Sequence, residues 1–155
     1  MDTKTHPIAD RIQLVECPRD AMQGISTFIP TQDKIAYHNL LLKVGFDTLD
    51  FGSFVSPIII PQLADTRKVL EGLNLNNHTK LLAIVANLRG ADEALEYSEI
   101  AYIGYPFSVS ETFQKRNTNR NIATSLHLVE ELLRLCNKKD KTPIIYLSMA
   151  FGNPY

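Results

Sequence analysis

Between Glu16 and Gln23 the chain gathers groups able to do polar chemistry: Glu16-Cys17-Pro18-Arg19-Asp20-Ala21-Met22-Gln23. The Arg19 guanidinium can hold an anion or a developing oxyanion. The Asp20 carboxylate can ligate a divalent cation, and the Gln23 amide can bond a substrate oxygen. An apolar run, Ile12 to Val15, directly precedes this segment and predicts a buried β-strand. In β/α proteins the ends of strands and the loops after them are where sites are built. Other polar residues recur at equivalent places. Asp50 and Ser53 close a second apolar run, Asn87 follows a third, and Ser108 and Ser110 follow a fourth. Taken singly, each also suits a cap or a polar loop.

The elements that must position these groups are legible as an alternation. Strands are predicted at Ile12–Glu16, Thr48–Phe51, Leu81–Val85, Ile100–Gly104 and Ile144–Met149. These are short, unalternated apolar runs of the kind that parallel sheets cover on both faces. Between them the spacing predicts helices. The first begins at Thr31 as N-cap, carries Tyr37, Leu40, Leu41 and Val44 on one face, and stops at Gly45. The second runs from Pro61 to Gly72, a short third from Ala91 to Tyr97, and the longest from Ile122 to Asn137. The stripe of the longest is Ile122, Leu126, Val129, Leu133 and Cys136. Alternating strands and helices imply an α/β fold with a parallel sheet and right-handed crossovers. Five strands fit either an open doubly wound sheet or part of a barrel.

At 155 residues, 45% hydrophobic and with a formal net charge of -1, the chain can bury one real core. That charge balance gives no general attraction to nucleic acid or anionic membranes. No apolar run approaches the ~20 residues of a membrane span. Residues 1–10 are polar, lack a signal-peptide core and read as a flexible tail. Two cysteines without ligand spacing fit a reduced, cytoplasmic protein. None of the four histidines pairs at a metal-ligand spacing, and no Gly-rich phosphate loop or dinucleotide fingerprint is present.

Three segments together resemble one family. Arg19-Asp20-Ala21-Met22-Gln23 is similar to the Arg-Asp-Gly-Leu-Gln signature of the hydroxymethylglutaryl-CoA lyases, metal-dependent aldol-type lyases on TIM barrels. Asp50-Phe51-Gly52-Ser53-Phe54-Val55-Ser56-Pro57 and Pro61-Gln62-Leu63-Ala64-Asp65 resemble that family's Ser-Phe-Val-Ser-Pro and Pro-Gln-Met-Ala-Asp stretches. Asn87-Leu88, Ser110-Glu111-Thr112-Phe113 and Lys115-Arg116-Asn117 continue the match, which covers nearly the whole chain. The resemblance implies a (β/α)8 TIM-type barrel, of which residues 11–155 form the N-terminal part, the first five β/α units.

The resemblance also implies chemistry: cleavage of 3-hydroxy-3-methylglutaryl-CoA to acetyl-CoA and acetoacetate. Arg19 and Asp20 would be catalytic, Asp20 as a ligand of Mg²⁺ or Mn²⁺. Arg19, Gln23, Asp50, Ser53, Asn87 and Ser110 would meet the acyl-CoA substrate, with Lys115 and Arg116 near the coenzyme A phosphates. The complete protein would be a homo-oligomer, a dimer. The family's His-x-His pair and metal-binding Asn would come from later strands and its catalytic Cys from a late, Gly-rich loop, so this chain alone is expected to be inactive. Departures are Ala21 for Gly, Met22 for Leu, Asp50 for Glu, and Met149 and Asn153 where some lyases have Cys. Ala21 matters if its backbone needs positive φ. Two other readings are a related metal-dependent lyase or aldolase acting on a different acyl-CoA, and a non-catalytic half-barrel interaction module.

Overall fold

The computed structural model describes residues 12–154, so the tail expected over residues 1–10 lies outside the described residues. Five strands form one sheet: β1 (Val15–Glu16), β2 (Thr48–Ser53), β3 (Lys80–Ile84), β4 (Ile100–Ser108) and β5 (Thr142–Ser148). Every neighbouring pair is parallel, and the spatial order is the chain order, β1-β2-β3-β4-β5. A doubly wound sheet reverses its strand order at a switch point, whereas a barrel adds each strand beside the last. The unbroken order therefore decides between the two architectures, and the chain is a partial TIM-type barrel.

The helices are α1 (Pro18–Gln23), α2 (Thr31–Val44), α3 (Thr66–Glu71), α4 (Leu88–Ala94), α5 (Glu111–Thr118) and α6 (Ile122–Lys138). Among the described residues no helix is long and apolar enough to cross a membrane. The core joins one face of the sheet to the helices. Leu49, Phe51, Leu81, Ala83, Val85, Ile103 and Tyr105 meet Leu42, Val69, Leu70, Ala91, Leu128, Leu132 and Cys136. A bulge between Asp50 and Gly52 breaks the β2–β3 register. There β2 lies so close to α3 that a Cβ on Gly52 would stand 2.5 Å from the Thr66 methyl.

Several expected elements are corrected. β1 is only Val15–Glu16, with Ile12 and Leu14 exposed. Thr31 is the first helical residue and Pro30 the cap. The Thr31 hydroxyl bonds Asp65 Oδ2 instead, at 2.8 Å. The Tyr37–Leu40–Val44 face of α2 points to solvent, with Leu40 61% exposed; the helix buries Lys34, His38 and Leu42. Hydrophobicity misleads there because the buried Lys and His find polar partners. On α6, Leu126 and Leu133 are exposed, and Ser125, Leu128, Leu132 and Cys136 face inward. The helix expected from Pro61 to Gly72 divides into a 3-10 turn at Pro61–Leu63 and α3. The helix expected at Ala91–Tyr97 starts earlier, at Leu88. α1 and α5 are short helices outside the stretches where the sequence predicts them.

Candidate active site

Pro18 opens α1 at a position where its missing N–H costs nothing. The turn that follows carries Arg19, Asp20 and Gln23 over the C-terminal end of β1. Arg19 and Gln23 stand one helical turn apart, and Arg19 Nη1 donates to Gln23 Oε1 at 3.0 Å. The same nitrogen donates to Asp20 Oδ1 at 2.9 Å. The other edge of the guanidinium meets Asp50 on β2. Nη2 donates to Oδ2 at 2.6 Å, and Nε faces both carboxylate oxygens at 3.2 Å. A guanidinium has five N–H groups. These contacts engage all but one, on Nη2. Ala21 is helical and outside the residues with positive φ, so the methyl in place of glycine strains nothing.

Electrostatics follow burial. Asp50 is wholly buried, and Arg19 is 11% exposed. Burial pushes the Asp50 carboxyl up, and the hydrogen bonds and charge of Arg19 oppose this without cancelling it. Burial pulls Arg19 down, but the bond and charge of Asp50 outweigh that, so the guanidinium is held more firmly protonated than usual. The Cys17 thiol is raised by burial and then by Asp50.

A cleft of about 990 Å³ opens above this cluster. Arg19, Asp20, Gln23, Asp50 and Asn87 line it, as do Arg116 and Arg120 from the α5 side. Its apolar surface includes Phe28, Ile59 and Phe113. Asn87 spends its carbonyl oxygen on the α4 N-terminus, accepting from Gly90 N at 2.9 Å. Ser53 and Ser110 do not line the cleft. The Ser53 hydroxyl donates to the Ile84 carbonyl at 3.3 Å and accepts from Val55 N at 3.2 Å. Ser110 caps α5 through Phe113 N.

Tyr146 and Ser148 line the cleft without having been singled out in the sequence. Their signal was the period-2 alternation of β5, which sends Tyr146 and Ser148 to one face. Burial, then the nearby Asp50 charge, pushes the Tyr146 phenol up to about 12.

The cluster does not fit a complete metal site. The Asp20 side chain is 71% exposed and already shares one oxygen with Arg19. The Asp50 carboxylate is committed to Arg19. Among the described residues no three His, Cys, Asp or Glu side chains converge as metal ligands.

No protein-family model matches the chain. Curated relatives do. The chain is 36% identical over 138 residues to the hydroxymethylglutaryl-CoA lyase YngG of Bacillus subtilis, which covers 89% of this chain and 46% of that one. It is 33% identical over 146 residues to the 3-hydroxy-3-isohexenylglutaryl-CoA/hydroxymethylglutaryl-CoA lyase of Pseudomonas aeruginosa, over 94% of this chain and 48% of that one. Among solved structures, an HMG-CoA lyase from Acinetobacter baumannii in complex with coenzyme A and 3-methylmalate superposes with a TM-score of 0.85. It shares 30% identity, over 92% of this chain and 47% of that one. The chain spans about half the length of the curated relatives it matches.

Proposed function

We propose, for a chain related to the hydroxymethylglutaryl-CoA lyases over about half their length, that its cleft forms the Arg19 side of a carbon–carbon lyase site. The substrate is 3-hydroxy-3-methylglutaryl-CoA, and the products are acetyl-CoA and acetoacetate. The observation that carries this reading is the state of Arg19. The guanidinium is fixed on a buried carboxylate, edges a cleft of about 990 Å³ and, among the described residues, keeps one N–H unengaged.

In the reaction a base takes the proton of the 3-hydroxyl, and the bond between C2 and C3 breaks. C3 becomes the ketone of acetoacetate. The electron pair passes to C2, giving the enolate of acetyl-CoA, which is then protonated at carbon. Negative charge grows on the thioester oxygen, and Arg19 is the donor that meets it. Its geometry is preset by Asp50, so little reorganisation accompanies the charge movement. Gln23 sets the second face of the guanidinium, and Asn87 lies across the cleft as a substrate contact. Arg116 gives a positive rim for the coenzyme A phosphates.

Asp20 is proposed as one oxygen ligand of a divalent Mg²⁺ or Mn²⁺, which would draw its remaining ligands from other strands of a closed barrel. None of the steps above is derived through the ion. A cytoplasmic setting fits the two free cysteines. A second reading keeps Arg19 and changes the acyl group. Asp50 is the observation that favours it: it is one methylene shorter than the Glu of the resembled family, and it holds Arg19 at the edge of the cleft.

The test joins this chain to the complementary barrel half of the Bacillus subtilis relative and assays acetoacetate release from 3-hydroxy-3-methylglutaryl-CoA. Metal-dependent release that Arg19→Gln removes supports the proposal. A folded, metal-loaded chimera that cleaves neither this substrate nor a longer-chain analogue overturns it.

A further inference from the structure

The Pro61-Gln62-Leu63-Ala64-Asp65 stretch contains a buried polar side chain that the chemistry above leaves unused. Gln62 follows β2 in the 3-10 turn and is 5% exposed. Its side chain reaches across to the segment between α1 and α2. Nε2 donates to the carbonyls of Ile25 and Thr27, both at 3.0 Å, and Oε1 accepts from Ile29 N at 2.9 Å. One amide thus ties three places in a stretch of five residues that has no helix or strand of its own. A buried lysine fixes the amide's own backbone. Lys34 Nζ donates to the Gln62 carbonyl and to Asp65 Oδ1, the latter at 2.7 Å, and lies 4.1 Å from the Phe28 ring centroid.

Both tied segments wall the cleft. Ile25, Ser26 and Phe28 stand on one side, and Ile59, Ile60 and Gln62 itself belong to the other. Residues 25–28 are exposed and have no strand ladder or helix to fix them, so the largely buried Gln62 amide provides the backbone partners that set their path. We infer that Gln62 is a positioning residue: it holds residues 25–29 as the wall of the acyl-CoA cleft beside Arg19 and Gln23. The inference rests on the acyl-CoA reading for its ligand, and on the three hydrogen bonds for its mechanism.

The experiment uses the full 155-residue chain with Gln62→Met and Gln62→Glu. The first keeps the side-chain length and removes all three bonds. The second keeps the acceptor for Ile29 and removes both donors. Amide hydrogen exchange is read residue by residue, and coenzyme A binding is read by calorimetry. Gln62→Met is expected to speed exchange at Ile29 at least tenfold while β2–β4 amides keep wild-type rates, and to weaken coenzyme A severalfold. Gln62→Glu should fall between Gln62→Met and wild type, and decides the matter if Gln62→Met does not fold. A merely structural role would accelerate exchange throughout the sheet, and that result overturns the inference. So does Ile29 exchange at the wild-type rate, or wild-type coenzyme A affinity once residues 25–29 have opened. Failure of the wild-type chain to bind coenzyme A would count against the acyl-CoA reading instead, with local opening at Ile29 still supporting the Gln62 anchor.

Discussion

Arg19–Asp50 and Lys34–Asp65 are both cation–carboxylate pairs withdrawn from water, in one chain, and each joins a helix to the β2 region. They differ in what is left over. The Lys34 ammonium is met by the Gln62 carbonyl, Asp65 and the Phe28 ring, and the side chain is 1% exposed. An ammonium has three N–H groups, and this one has a partner for each. Among the described residues Arg19 retains an unengaged N–H, and it borders the cleft next to an exposed carboxylate. Burial of a charge does not by itself mark a catalytic group. A buried charge with unfilled bonding capacity, facing a cleft, does so more sharply.

The largest expected effect separates the pairs by what fails. Lys34→Met should lower stability by about 3–5 kcal/mol, because it strands the Asp65 carboxylate without its cation. Urea unfolding would show it as a lower midpoint with an unchanged slope. A loss under about 1 kcal/mol would mean that the enclosed pair is not structural.

Alkaline titration sharpens the comparison between cleft and core. Burial raises the Cys136 thiol, in the core, to about 11 from 9.0. Tyr146, in the cleft, rises to about 12 from 10.0. Both groups keep their protons in the folded state at pH values where the unfolded chain loses them. Stability from each is therefore whole below the ordinary pKa and is lost as pH climbs through the raised one. Each is worth on the order of 2 kcal/mol. Stability should fall from pH 9 to 12, and Tyr146→Phe should remove the part above pH 10. A flat profile over that range would contradict both assignments.

Two cap residues give a smaller contrast. Asn87→Ala and Ser110→Ala should each cost about 1 kcal/mol by exposing a helix N-terminus. Only Asn87 lines the cleft, so only its variant should also weaken coenzyme A. Equal weakening by both would put Ser110 back among the substrate contacts. Smallest of all is Tyr105→Phe. The Tyr105 hydroxyl is buried and, among the described residues, has no hydrogen-bond partner. Deleting it should leave the melting temperature unchanged or raise it slightly, whereas a fall of several degrees would reveal a partner.

The strand alternation and the Arg19–Asp20–Gln23 cluster were readable because each rests on local pattern: apolar runs, and reactive groups just past a strand. The doubly wound alternative fell only when strand order was known, since order is a property of pairing between distant segments. The α2 face was misread because Lys34 and His38 are buried through partners at Gln62, Asp65 and the Phe51 carbonyl, which no hydrophobic period can show. Ser53 and Ser110 were drawn into the site by motif and position. Their hydroxyls turn to backbone groups within the fold, which no sequence pattern shows. Tyr146 was overlooked because its strand read as uniformly apolar, although alternation placed it opposite the core.

The central claim is that Arg19, and not merely its ion pair, stabilises the developing enolate. The most direct test is kcat for acetoacetate release by Arg19→Gln within a closed barrel, at a folded concentration matched by circular dichroism. The account predicts a fall of about 10²–10³ per folded molecule, with the folded-state circular dichroism retained although the stranded Asp50 carboxylate lowers the unfolding midpoint. A near-normal rate in the folded variant would show that another group meets the oxyanion.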